Sequence, residues 1–317
     1  MTLVIGTDEA GYGPNLGPLV IGATAWRVAA EPTAVEAAVA AAGAAVEAAV
    51  GRRLWGDSKE IYRGGAGLDL LEQGVLAALA IAGHGVPASW PALATALGIG
   101  GHESLSESLP ESPELAAVRL PRHDTVPAAG ELAGLVREQL AGGGVELVAV
   151  RCRLVTPGDF NGLLDRGHNK SDILTAATLE LAASLADLAA ADEPLVVWCD
   201  RHGGRRRYAP QVARAFAAPL VQPVEETPRR SGYRLGPRRA IEFTVGGEAR
   251  LPVAAASMTA KYVRELAMLA FNAFWGGRQP GLVPTAGYPV DAVRWRREVA
   301  ATVEREGVVW DRLWRRV

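Results

Sequence analysis

MTLVIGTDEAGYGPNLGP, Met1 to Pro18, is the stretch that decides how the rest of the chain is read. Leu3 to Ile5 are apolar and β-prone, which predicts a buried strand. Two adjacent carboxylates, Asp8 and Glu9, come directly after it. Glycines follow at Gly11, Gly13 and Gly17, with Pro14 and Pro18 among them. A second apolar run, Leu19 to Trp26, predicts another strand. Acids at the end of a buried strand are costly unless something positive pairs with them. For two clustered carboxylates the fitting partner is a hard cation such as Mg²⁺. Two other readings compete. Gly11-x-Gly13-x-x-x-Gly17 looks like a loose dinucleotide fingerprint, but that motif needs a helix after its glycines to hold a pyrophosphate. Here a strand is expected, and the acids would repel phosphate, so no dinucleotide cofactor is expected. The plainer alternative is a Gly/Pro hairpin with solvated acids.

At 317 residues the chain has room for one large domain or two, and at 49% hydrophobic it has enough apolar material for a sizeable core. No uninterrupted apolar run reaches the ~20 residues of a membrane span. No basic segment with an apolar run precedes the first strand, so no signal peptide is expected and a cytoplasmic location is. Cys152 and Cys199 both lie in strand-like runs and read as small buried residues in a reducing compartment. The net charge of -2 hides an asymmetry: residues 200–317 carry 21 Lys/Arg against 11 Asp/Glu, whereas residues 1–199 carry 12 against 24. A basic half beside an acidic half suits a polyanion touching one face, with a solvated arginine surface as the alternative. Only three basic residues are lysines, Lys59, Lys170 and Lys261, and all lie in polar or small-residue motifs. A compact ammonium suits a phosphate where the guanidinium fork does not.

Along the chain, helices are expected over 29–50, 68–82, 90–97, 131–141, 173–190 and 254–275, with a terminal helix over 290–306 and a basic tail over 310–317. Strands are expected over 146–155, 195–199 and 220–224, with a hairpin from 231–235 and 240–245. Residues 156–167 read as a loop, and 84–130, rich in Gly, Pro, Ser and Glu, as a partly mobile insertion or lid. Asp200 stands at the end of the apolar run Leu195 to Cys199. If that strand neighbours the first, Asp200 joins Asp8 and Glu9 in the crevice at the strand ends, where mixed α/β sheets place their sites.

Ile5 to Pro14, IGTDEAGYGP, resembles the opening motif of type 2 ribonuclease H (RNase HII), commonly written IDEAGRGP. Later stretches follow in the family's order. Asp57-Ser58-Lys59 is similar to its DSK, and Asn169 to Leu181 to its N-ILQAT helix. Val196 to Asp200 looks like the strand of the third acid, and Ala256 to Glu265, ASMTAKYVRE, is similar to ASIxAKVxRD. Ala286 to Pro289 looks like the C-terminal KGYxT. The resemblance implies an RNase H-like fold, a mixed central sheet flanked by helices with a C-terminal helical extension. Residues 1–280 would be the catalytic domain with the insertion at about 84–130, and 281–317 the extension packed on it.

The activity implied is metal-dependent cutting of the RNA strand in RNA–DNA hybrids, or of single ribonucleotides in DNA, with Mg²⁺ or Mn²⁺. Carried over by position, Asp8, Glu9, Asp200 and Glu265 are the catalytic and metal-binding acids. Clustered carboxylates can hold two ions ~3.5–4 Å apart for phosphodiester hydrolysis. Gly11, Tyr12 and Gly13 would meet the 2′-OH through their backbone, and Tyr288 would stack on a sugar. Lys59, Lys170, Ser257 and Lys261 would meet phosphates. No membrane association is expected, and the chain is expected to be monomeric. Three departures mark a divergent member: Tyr12 in place of the arginine between the glycines, Glu265 in place of an aspartate, and the insertion. The alternatives are a catalytically weak nucleic-acid-binding module and a structure-selective DNA nuclease on the same fold. His202 is either an aid to protonation or an exposed loop histidine.

Overall fold

The computed structural model of the chain describes residues 1–62, 67–100, 113–122 and 129–316. Its centre is a seven-stranded mixed sheet in the order β3-β2-β1-β4-β7-β6-β5. The strands are β1 (Thr2–Ala10), β2 (Leu19–Val28), β3 (Val145–Val155), β4 (Leu195–Asp200), β5 (Gln222–Glu226), β6 (Arg230–Arg234) and β7 (Arg239–Thr244). β4 runs parallel to β1 and to β7, and the other pairings are antiparallel. The helices are α1 (Val35–Val50), α2 (Ser58–Tyr62), α3 (Gly67–Ile81), α4 (Trp90–Leu97), α5 (Pro113–Ala116), α6 (Ala129–Gly142), α7 (Pro157–Asp165), α8 (Lys170–Ala186), α9 (Ala209–Ala215), α10 (Leu251–Arg278) and α11 (Pro289–Arg305). This is the RNase H-like architecture expected above: a mixed sheet with helices on its faces and a helical C-terminal extension. Among the described residues no helix is long and apolar enough to cross a membrane.

Alternation along β1 sends Val4 to one core, shared with α10, and Leu3 and Ile5 to a second, shared with α8. The long helix α10 lies against β1 and β2 at backbone distance. A Cβ on Gly6 would fall 2.2 Å from the Pro252 carbonyl carbon, and one on Gly22 2.2 Å from Ala256 O. Thr24 Oγ1 donates to Pro252 O at 2.7 Å beside this contact. Two strand glycines therefore set the depth of α10, and with it the position of Ser257. Gly22→Ala is expected to push the helix off the sheet and cost about 1–3 kcal/mol, read as a lowered midpoint in thermal unfolding.

Three expectations change. Residues 156–167 form α7, because Thr156 caps it, accepting from Asp159 N at 3.2 Å, and Pro157 opens its first turn. The described part of 84–130 is packed: Leu93, Leu97, Leu115 and Leu120 are buried in the main core. The Ser- and Glu-rich middle of that stretch lies outside the described residues. The C-terminal tail is tied in, since Leu16 bridges to Trp314 and both sit with a third core formed by Trp275, Trp295, Val299 and Val303.

Candidate active site

Parallel pairing of β1 with β4, in register Thr7 with Cys199, brings Asp8 and Asp200 to neighbouring positions at the same strand ends. Both lie on the α10 side of the sheet, and Glu9 is on the next pleat. Asp8 Oδ1 accepts from Glu9 N at 2.8 Å, and the Ser257 hydroxyl of α10 donates to Asp8. The Ser257 and Ser58 hydroxyls are 3.0 Å apart, which joins the start of α2 to the site. Asp200 Oδ1 accepts from Gly247 N at 2.8 Å. That bond brings in Glu248, on the short 3-10 turn Gly247–Ala249 before α10, whose charge helps to raise Asp200.

The electrostatics are those of crowded acids in a poorly hydrated place. Burial, then the Asp200 charge, push Asp8 up to about 8. Burial, then Asp8 and Asp200, hold Glu9 well above the usual carboxylate range, with Lys59 opposing them. Burial raises Asp200 to about 6 although Gly247 N–H favours its charged form. Glu9 Oε2 is buried with no hydrogen-bond partner. Burial opposes the charge of Lys59, but Glu248, Asp57, Asp8 and Asp200 outweigh that cost and raise its pKa. Among the described residues no three His, Cys, Asp or Glu side chains stand as a ready-formed metal cage. The donor set nonetheless suits a hard cation: all-oxygen, mutually repelling, and with a buried oxygen left unpaired.

Glu265 is engaged elsewhere on α10. It lies two helical turns beyond Ser257, about 12 Å along the axis. Its oxygens accept from Lys261 Nζ at 2.6 Å and from Tyr62 Oη at 2.9 Å. Lys261 also lies 4.5 Å over the Tyr62 ring. A carboxylate whose charge is felt at both Asp8 and Asp200 is that of Glu248. Its signal in the sequence is the one that marks the other acids: it follows a strand end, at Gly246-Gly247-Glu248.

The glycine loop forms the other wall. A strand, β2, follows it, as expected. Gly11 has φ +85°, and a Cβ there would meet Arg264 Nε at 2.4 Å and Pro18 O at 2.6 Å. Two buried arginines hold this loop by its carbonyls. Arg315 donates to Gly11 O at 2.6 Å and to Pro14 O, and Arg264 to Leu16 O at 3.3 Å and Ala286 O at 3.1 Å. Asn15 N and Leu16 N both donate to Gly287 O. Tyr288 is thereby set over Gly13, 51% exposed, with its ring 3.9 Å from where a Cβ of Gly13 would stand. Tyr12 is half-buried near Gly203, and Lys170 Nζ, at the start of α8, lies 4.6 Å over its ring. Arg264 and Arg315 escape a reading by composition, which makes residues 310–317 a basic tail; Arg315 is 0% exposed.

His202 lies in the loop after β4 but is not exposed. It is buried, its Nδ1 is 3.0 Å from Thr175 Oγ1, and its ring packs edge-on to Tyr208 and Phe243. Burial, then Arg205, lower its pKa to about 3, so it stays neutral and structural at physiological pH. Both cysteines are buried and free, and burial raises both thiols, Cys199 to about 12.

No protein-family model and no curated protein matches the sequence. Solved structures do match in outline. A chain of the PCNA:RNase HII complex from Archaeoglobus fulgidus aligns over 98% of this chain and 93% of its own, at 15% identity and TM-score 0.44. Bst-RNase HIII in complex with Mn²⁺ aligns over 99% of this chain and 66% of its own, at 15% identity and TM-score 0.48. The ribonuclease H2 of Pyrococcus horikoshii OT3 aligns over 98% and 92%, at 16% identity and TM-score 0.39.

Proposed function

We propose that this chain is a divergent type 2 ribonuclease H: a monomeric, metal-dependent endonuclease that cuts the RNA strand of RNA–DNA hybrids or single ribonucleotides in DNA, leaving 3′-hydroxyl and 5′-phosphate ends. One observation carries the reading. Asp8 and Asp200 stand side by side at the ends of two paired strands, with Glu9 next to Asp8 and the turn that carries Glu248 bonded to Asp200, beside a glycine loop held by Arg264 and Arg315.

Asp8, Glu9, Asp200 and Glu248 would hold the metal. When bound, Mg²⁺ or Mn²⁺ supplies activation of water and stabilisation of the leaving oxygen. The chain's own residues do the rest. Ser257 and Glu9 N orient Asp8, and Gly247 N orients Asp200. Lys59 offers its charge to a phosphate beside the acids. The Gly11–Gly13 backbone, without side chains in the way, approaches the 2′-OH that separates RNA from DNA. Tyr288, exposed over Gly13, stacks on the sugar at that step. Lys170 and Tyr12 form a cationic and aromatic lip at the outer end of the loop. Lys261 and Glu265, bonded to each other, brace Tyr62 at the rim.

The test is cleavage of three labelled duplexes: one with a single ribonucleotide, a full RNA–DNA hybrid, and an all-DNA control. Each is run with Mg²⁺, with Mn²⁺ and with EDTA. The expected result is metal-dependent cutting only where RNA is present. Equal cutting of the all-DNA duplex would make the protein a DNA nuclease. Binding without any cutting would make it a non-catalytic module.

A further inference from the structure

The sheet extends past β7 by a hairpin, β6 and β5, and this hairpin returns to the carboxylates. Thr244 at the end of β7 pairs on one side with Asp200 and on the other with Arg230. Two inter-strand spacings of about 4.8 Å therefore put the β5–β6 turn roughly 10 Å from Asp200, at the same end of the sheet. The turn is fixed. Arg201 donates to Thr227 O at 3.0 Å and to Pro228 O, Thr227 N donates to Arg230 O at 2.8 Å, and Val245 N to Arg229 O at 3.0 Å.

The loop after Asp200 is fixed to the same hairpin. Ser231 Oγ donates to Arg206 O at 2.8 Å, Tyr208 N donates to Tyr233 Oη at 2.9 Å, and the Tyr208 ring stacks on Phe243 at 3.7 Å. Arg205 turns the other way, to Ser171 and Asp172 at the start of α8. Among the described residues this scaffold presents to solvent the guanidinium groups of Arg206, Arg207 and Arg229, beside Arg230, which pairs with Glu225 and Glu242. Arg206 and Arg229 are exposed and have no carboxylate partner among the described residues. Arg207, its side chain 87% exposed, has only a loose contact of 3.7 Å with Glu226. Rigid backbone under unpaired, exposed arginines, next to a centre read as phosphodiester chemistry, has one complementary partner: a run of phosphates.

We infer that Arg206, Arg207 and Arg229 form a phosphate-binding surface that takes the nucleic-acid backbone as it leaves the carboxylates on the Asp200 side. This rests on the proposed nuclease reading and adds to it a substrate contact that no quoted motif contains. The surface is read through phosphates alone, so it adds affinity without base preference.

The experiment compares two triple variants of the full chain, each in an Asp8→Asn background that stops cutting. One is R206Q/R207Q/R229Q. The other, R234Q/R238Q/R239Q, removes the same charge from the opposite end of the hairpin. The backbone bonds of the loop and turn use Arg206 O and Arg229 O, so the first variant keeps its fold, checked by an unchanged unfolding midpoint. Affinity for a labelled RNA–DNA hybrid is measured by fluorescence anisotropy from 50 to 200 mM KCl. Each phosphate contact adds about 0.9 to the slope of log affinity on log salt. The expected result is a slope lowered by about 2–3 in the first variant and by less than about 0.5 in the second. An unchanged slope in the first variant, or equal loss in both, overturns the inference; an acidic protein as the true partner gives the former. The two readings fail separately. Intact cutting by the wild-type chain with an unchanged slope removes this surface alone. A lowered slope with no cutting by the wild-type chain under any metal removes the nuclease reading alone.

Discussion

Asp8→Asn is expected to abolish cleavage and, at pH 8, to leave the metal-free protein more stable than wild type. Asp8 is held at about 8 in the folded chain, by burial and by Asp200, against 3.8 ordinarily. A carboxyl raised in this way contributes stability that is fully present below pH ~4, its unfolded value, and is lost as pH rises through about 8. Glu9 and Asp200 are raised too, so their losses have the same sign. The metal-free wild type should therefore lose stability steadily between pH 5 and pH 8. Asparagine keeps an oxygen to accept from Ser257 and Glu9 N but carries no charge. The variant should gain about 2 kcal/mol over wild type at pH 8, a few degrees in unfolding midpoint, and much less at pH 5. Mg²⁺ or Mn²⁺ should narrow the gap by stabilising wild type, and more at pH 8 than at pH 5. Thermal unfolding at both pH values, with and without metal, checks this. A variant less stable than wild type at pH 8 without metal would mean that Asp8 is not under electrostatic strain.

Glu248→Gln should lower the cleavage rate by about 100-fold or more, whereas Glu265→Gln should stay within about fivefold of wild type. The Glu248 charge acts on both Asp200 and Lys59, so neutralising it removes a carboxylate from the site. Glu265 is engaged at the rim by Lys261 and Tyr62, and glutamine can still accept from Lys261 through its oxygen and donate to the Tyr62 hydroxyl through its NH₂. Its loss as a charge costs one half-buried helical ion pair, about 1 kcal/mol or less. Single-turnover cleavage of the one-ribonucleotide duplex separates the two variants. The opposite order would restore Glu265 as the fourth acid.

The contrast between these two glutamates shows where the sequence was legible. Asp8, Glu9 and Asp200 declare themselves because each ends an apolar run, and a carboxylate in that position needs a reason. Glu248 instead follows an alternating run, Ala240 to Val245, two glycines on. The expected hairpin of this run with 231–235 forms, and what the sequence does not announce is that β7 also pairs in parallel with β4 beside Asp200. Motif likeness drew attention to Glu265 instead. Glu265 lies two helical turns from Ser257, and motif likeness does not measure that distance. Arg315 was illegible for a different reason. Its burial depends on the pairing of Leu16 with Trp314, across almost the whole chain, and nothing local announces it. α7 was missed although Thr156-Pro157 is a usable start signal, because the glycines and asparagine after it outweighed the cap. The two acid-bearing strand ends, by contrast, raised the adjacency of the first strand and Leu195–Cys199 as a condition, and the β1–β4 pairing meets it.

The central claim is that Asp8, Glu9, Asp200 and Glu248 are one metal-binding centre. It is tested most directly by titrating Mn²⁺ or Mg²⁺ into the full chain by calorimetry at pH 8, beside the Asp8→Asn, Glu248→Gln and Glu265→Gln variants. The account predicts binding by wild type and by Glu265→Gln with similar affinity, and weakening by about tenfold or more in the other two. Absence of binding by wild type, or loss of binding in Glu265→Gln with retention in Glu248→Gln, would contradict it.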